Sequence, residues 1–172
     1  MNDFSTLLKL ATEKITPEYF NIPLYEGEYI SRERVYCYEL YHQLRLIWPE
    51  ESKFILHGEL DKVAHPYLSS LNINQKPDFL VHEPGSMNNN CIVMEIKKHT
   101  TADIAILNDF KKIEKFITKV GYSRGVFLMF GSKAINKSQN IQNILASFSN
   151  QLNVEIWLHC NPCEAAFRVN EK

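Results

Sequence analysis

Apolar and polar positions along the chain change period several times, and each change marks a predicted element. Residues 4–14 carry a helical pattern that Pro17 and Pro23 prevent from continuing, so residues 1–27 read as an N-terminal extension packed on the core. Between residues 28 and 48, Ile30, Cys37, Tyr41, Leu44 and Trp48 form one stripe that Leu40 and Ile47 widen, and Pro49 ends it; a long helix is predicted there. Residues 53–59 read as a strand. The runs Phe79-Leu80-Val81 and Cys91-Ile92-Val93-Met94 are joined by a segment dense in turn formers, residues 83–90, which is the pattern of a hairpin. Residues 102–120 place Ile104, Leu107, Phe110, Ile113, Phe116, Ile117 and Val120 at threes and fours with lysines opposite, a helix that Gly121 is placed to cap. Gly125 to Phe130 is a continuous apolar run, as expected of a mid-sheet strand covered on both faces. An amphipathic helix over residues 137–149, a strand over 154–159 and a short strand over 165–169 complete the order. Such alternation predicts an α/β domain, a central mixed β-sheet flanked by helices.

Length and composition agree with one folded unit. A chain of 172 residues with 45% hydrophobic and 23% charged residues is long enough for a single self-sufficient core. A net charge of −1 argues against tight nonspecific nucleic-acid binding by the whole surface, but leaves room for a local basic face. Lys97, Lys98, Lys111, Lys112, Lys115 and Lys119 are the candidates for it. Four cysteines without a secretory signal read as reduced thiols and a cytoplasmic location. Cys160 and Cys163 are the one close pair; they lack two further zinc ligands and do not open a helix as a redox motif would. No apolar run approaches the ~20 residues that span a bilayer.

The chemistry concentrates in Lys76-Pro77-Asp78-Phe79 and in Glu95-Ile96-Lys97, seventeen residues after Asp78. On a strand, Glu95 and Lys97 share one face while Ile96 points to the other, so the acid and the lysine reach one site and Ile96 anchors the core. The hairpin brings Asp78 back toward Glu95. Two carboxylates suffice for Mg²⁺, a hard cation that takes oxygen ligands and keeps several waters. The ammonium of Lys97 would then reach a water held by that cation.

Pro77-Asp78 with Glu95-Ile96-Lys97 resembles the PD-(D/E)xK signature of the restriction-endonuclease-like nuclease superfamily, and the order of elements extends the resemblance over about four fifths of the chain. The resemblance implies a three-layer sandwich and a Mg²⁺-dependent nuclease, with Mn²⁺ as a substitute, acting on nucleic acid and on DNA before RNA. Asp78, Glu95 and Lys97 would be catalytic, and the backbone carbonyl of Ile96 would be a further metal ligand. Members often add an acid from the first helix or from the strand before the hairpin. Here Glu39 and Glu59 are the candidates; Glu39 sits among Tyr38, Leu40 and Tyr41, where a charge is costly unless paired or facing a site, and is preferred to Glu33, which lies about 240° away around a helix. Lys98, Lys111 and Lys112 would meet the substrate backbone. His57 and His82 are expected to be structural, Glu39 and His42 lack the partners of a metal pair, and Asp109 reads as either a substrate-facing edge or a solvated face. By analogy with such nucleases, a homodimer or a larger defence, mobile-element or repair complex is the expected setting. The alternative is a noncatalytic nucleic-acid-binding or protein-interaction module on the same fold, which a missing motif residue would favour; none is missing.

Overall fold

The structure is a computed structural model that describes residues 4–59, 75–86, 88–149 and 152–170. Its described elements run α1 (Phe4–Thr12), α2 (Pro17–Phe20), β1 (Ile22–Pro23), a 3₁₀ turn (Tyr25–Gly27), β2 (Tyr29–Ile30), α3 (Glu33–Leu46), β3 (Ile55–Gly58), β4 (Phe79–His82), β5 (Asn90–Lys98), α4 (Asp103–Val120), β6 (Arg124–Phe130), α5 (Ala134–Ala146), β7 (Val154–His159) and β8 (Phe167–Arg168). Strands β3 to β8 form one six-stranded sheet in chain order. β3, β4 and β5 are antiparallel, β6 and β7 run parallel to β5, and β8 turns back antiparallel on β7. The fold is therefore α/β, with a mixed six-stranded sheet flanked by helices and consistent with three layers.

The period-2 alternation of β5 separates two cores. Ile92, Met94 and Ile96 face α1 and α3, where they pack with Leu8, Leu40 and Leu44. Val93 faces α4 and α5 with Phe127 and Met129, under Ile106, Phe110, Ile113 and Ile141. Glu95 and Lys97 continue the second register. They replace apolar side chains at the end of the strand, beneath α4.

Several boundaries differ from the expectation, among them the later amphipathic helix, which spans Ala134–Ala146 and so begins and ends three residues earlier than its pattern implied. The long helix spans Glu33–Leu46, because Tyr29 and Ile30 pair with Pro23 and Ile22 in a two-stranded ribbon instead of opening the helix. Its buried stripe is Tyr36, Cys37, Leu40 and Leu44, while Ile47 lies beyond its end and is exposed. The N-terminal segment is part of the core: Phe4, Leu8, Ile15 and Phe20 are fully buried in the cluster that holds Trp157. Gly121 caps α4 in the left-handed conformation, φ 82°, as its position implied. No described helix is long and apolar enough to cross a membrane.

Candidate active site

The β4–β5 register pairs Phe79 with Met94 and Leu80 with Val93, so the chain just before β4 runs alongside Glu95 and Ile96. Asp78 is fixed there by its backbone and its side chain together. Its carbonyl accepts from the N–H of Glu59 at 2.9 Å, and its Oδ2 accepts from the N–H of Ile96 at 2.7 Å. The hairpin thus brings the three motif residues to one end of the sheet.

Around them the structure assembles a chain of alternating charge. Lys112 Nζ, from α4, donates to Glu95 Oε2 at 2.8 Å and lies 3.4 Å from Asp109 Oδ1. Asp109 Oδ2 lies 3.6 Å from Lys97 Nζ. Lys97 Nζ in turn donates to Glu33 Oε1 at 2.9 Å and to the carbonyl of Ile96 at 3.0 Å. Two helices on opposite faces of the sheet, α3 and α4, therefore converge on β5.

Burial makes this arrangement costly. Glu95 has no exposed surface and its Oε1 is without a hydrogen-bond partner; Asp109 is also buried, with Oδ2 likewise lacking a hydrogen bond. Desolvation, followed by the charge of Asp78, pushes the Glu95 carboxyl well above its ordinary range, against the pull of Lys112. Desolvation also raises Asp78, opposed by Lys97 and the Ile96 N–H. Burial would lower Lys97, but Asp78, Asp109 and Glu33 outweigh it and hold the ammonium charged above its ordinary value. Lys112 is raised in the same way, chiefly by Glu95 against its own desolvation.

Four carboxylates, Glu33, Asp78, Glu95 and Asp109, thus share the site with two ammoniums, Lys97 and Lys112. With all ionised the cluster carries two surplus negative charges, and two buried carboxylate oxygens, Glu95 Oε1 and Asp109 Oδ2, lack a hydrogen bond. That donor set suits one hard divalent cation. Among the described residues, no group of three or more His, Cys, Asp or Glu side chains is gathered as a ready cage for a metal. A cation held by Asp78, Glu95 and the Ile96 carbonyl would therefore complete its shell with water and substrate oxygens, as Mg²⁺ commonly does.

The other candidates separate into near and far. Lys112 does not stand free to meet a phosphate, because Glu95 and Asp109 engage it; Lys111 is exposed on the outer side of α4 and Lys98 is half-buried at the end of β5. Glu39 Oε1 accepts from Gln43 Nε2 at 2.6 Å, along its own helix, whereas Glu33 reaches Lys97. Of these two acids, Glu33 is the one the geometry joins to the charged cluster. Glu59 borders the pocket beside Asp78 and makes an exposed ion pair with Arg34 at 3.4 Å. His57 Nδ1 and His82 Nε2 lie 2.9 Å apart across β3 and β4. All four cysteines are free thiols.

Sequence reasoning ranked Glu33 behind Glu39 and left Asp109 between a substrate-facing edge and a solvated face; it did not foresee their contacts with the lysines. A signal for Asp109 was present: it sits on the α4 stripe between Ile106 and Ile113, where an unpaired charge would be unfavourable. Glu33 carried none, since its closeness to Lys97 depends on how α3 packs. Compared with protein-family models, curated proteins and solved structures, the chain matches none of them.

Proposed function

We propose that this chain is a Mg²⁺-dependent nuclease of restriction-endonuclease-like fold, hydrolysing phosphodiester bonds of nucleic acid, with DNA preferred to RNA on the resemblance of its motif. The observation that carries the reading is the gathering of four carboxylates with only two ammoniums around Asp78 and Glu95, with Glu95 Oε1 buried and without a hydrogen bond; fully ionised, as a bound cation would hold them, they carry two surplus negative charges. An ion-pair network built only for stability would balance its charges, because each uncompensated buried charge is strongly destabilising.

Asp78, Glu95 and the Ile96 carbonyl would hold the cation, which supplies charge neutralisation at phosphate oxygens and a more acidic bound water. Lys97 stands near the end of β5, on the face it shares with Glu95. Flanked by Asp78, Asp109 and Glu33, it serves as an electrostatic partner for the scissile phosphate. Asp109 bridges the two lysines and keeps them apart, one at Glu95 and one at the Ile96 carbonyl. The Ile96 N–H orients Asp78.

The test is incubation with supercoiled plasmid, linear duplex, single-stranded DNA and RNA in Mg²⁺, Mn²⁺ or EDTA, beside Lys97→Ala and Asp78→Asn. Cleavage that needs metal and disappears in both variants is the expected result. No cleavage of any substrate, by protein shown to be folded, would overturn the proposal and favour a binding module.

A further inference from the structure

Next to Asp78 lies a pocket of about 460 Å³ between α3 and the β3–β4 edge, within the range of sites that hold small organic groups. Tyr41 and Phe79 form part of its wall with ring centroids 5.8 Å apart, and Tyr41 is tethered by its hydroxyl to the Leu56 carbonyl at 3.2 Å. Tyr38, one turn earlier on α3, lines the same pocket with 61% of its surface exposed, a large aromatic face open to solvent. Gly58 leaves the wall without a side chain, and the carboxylates of Glu59 and Asp78 are its charged members.

We infer that this pocket receives one unpaired nucleobase of the strand being cut, so that the substrate is single-stranded or locally opened nucleic acid. The assignment rests on the nuclease reading and adds the class of substrate. Three features select the occupant. The aromatic surfaces of Tyr38, Tyr41 and Phe79 suit a flat ring, and stacking on such side chains is the common means of holding single strands. The acidic groups repel a phosphate but accept hydrogen bonds from ring and exocyclic N–H groups, so the occupant is a neutral heterocycle. Asp78 belongs both to the pocket and to the charged cluster, which places the base beside the phosphate to be cut. A paired base presents neither its face nor its pairing edge, and must leave the duplex to enter.

The exocyclic amine of cytosine is the better donor to Glu59, as carboxylates generally accept from that group. The test is fluorescence anisotropy in EDTA with short labelled oligo-dC, oligo-dT and a duplex, using wild type, Tyr38→Ala, Tyr38→Trp and Glu59→Gln. Oligo-dC is expected to bind about tenfold more tightly than the duplex, with that margin lost in Tyr38→Ala and kept in Tyr38→Trp. Glu59→Gln is expected to bring oligo-dC and oligo-dT together. Equal binding of duplex and single strand, or an unchanged Tyr38→Ala, overturns the inference. A parallel incubation with Mg²⁺ separates the two failures. Duplex cleavage without single-strand preference removes the pocket assignment alone. Selective oligo-dC binding without cleavage of any substrate supports the pocket and removes the nuclease.

Discussion

Lys112 Nζ stands 2.8 Å from Oε2 of Glu95, a carboxylate with no exposed surface. The pair joins α4 to the end of β5 at the point where the α4-facing register of that strand changes from apolar to charged. Lys112→Met keeps an unbranched side chain one atom shorter and removes its charge, which leaves Glu95 beside Asp78 and Asp109 without the ammonium that bonds it. Breaking a buried pair from one side costs about 3 kcal/mol or more. Urea denaturation in EDTA should show a loss of that order, partly recovered by Mg²⁺. A loss below about 0.5 kcal/mol, the size of an ordinary surface substitution, would mean that the contact contributes nothing to the fold.

Glu33 and Glu39 lie on one helix but have different partners. Glu33→Gln removes the charge that holds Lys97 at 2.9 Å, whereas Glu39→Gln alters a contact with Gln43 alone on the same helix. Cleavage rate should fall about tenfold or more in the first variant, as expected when a charged group near the reacting phosphate loses its position. In the second it should stay within about twofold. Equal loss in both would show that α3 contributes its fold and not the side chain of Glu33.

His159 is buried against Tyr36, sharing a 2.7 Å hydrogen bond between Tyr36 Oη and its Nδ1. Desolvation lowers its pKa from 6.5 to about 4. The unfolded chain therefore takes up a proton between those values while the folded chain does not, and stability falls as the pH is lowered through that window. The full loss is about 3 kcal/mol. Asp78 and Glu95 act in the opposite sense: their raised values mean that the folded state binds protons first, so they add stability as the pH falls. Subtracting the pH profile of His159→Gln from that of wild type cancels the carboxylates and should isolate the histidine. A flat difference between pH 6.5 and 4 would mean that His159 is protonated in the folded protein.

Gly125 lies against α4, whose Ile113 and Ile117 pack over it. A methyl group there would run into Ile113 Cγ2 and come within 3.1 Å of Val154 Cγ2. Gly125→Ala should cost about 1–3 kcal/mol in chemical denaturation, the usual range for overpacking. Because α4 also carries Asp109 and Lys112, the displacement should lower cleavage as well. Full activity in a destabilised variant would show that the helix yields elsewhere.

Much of this architecture is legible in the local pattern, because helices and strands answer to periods of 3.6 and 2. The α4 stripe, the apolar run of β6 and the hairpin from Phe79 to Met94 all follow from it, as does the common face of Glu95 and Lys97. The start of α3 was not legible. Tyr29 and Ile30 fit a helical stripe locally, and only pairing with Pro23 and Ile22 turns them into a strand.

The sequence by itself determined the order of elements, the two-faced sheet and the approach of Asp78 to Glu95, since each depends on periodicity and on turns between neighbours. The tertiary structure decided which charges meet. Lys112 was legible as part of a basic face until α4 laid it on Glu95; Asp109 became the bridge between two lysines, and Glu33, not Glu39, joined Lys97. Those contacts join residues 17, 12 and 64 positions apart, where the rotation and docking of whole helices set the distance and no local pattern encodes it.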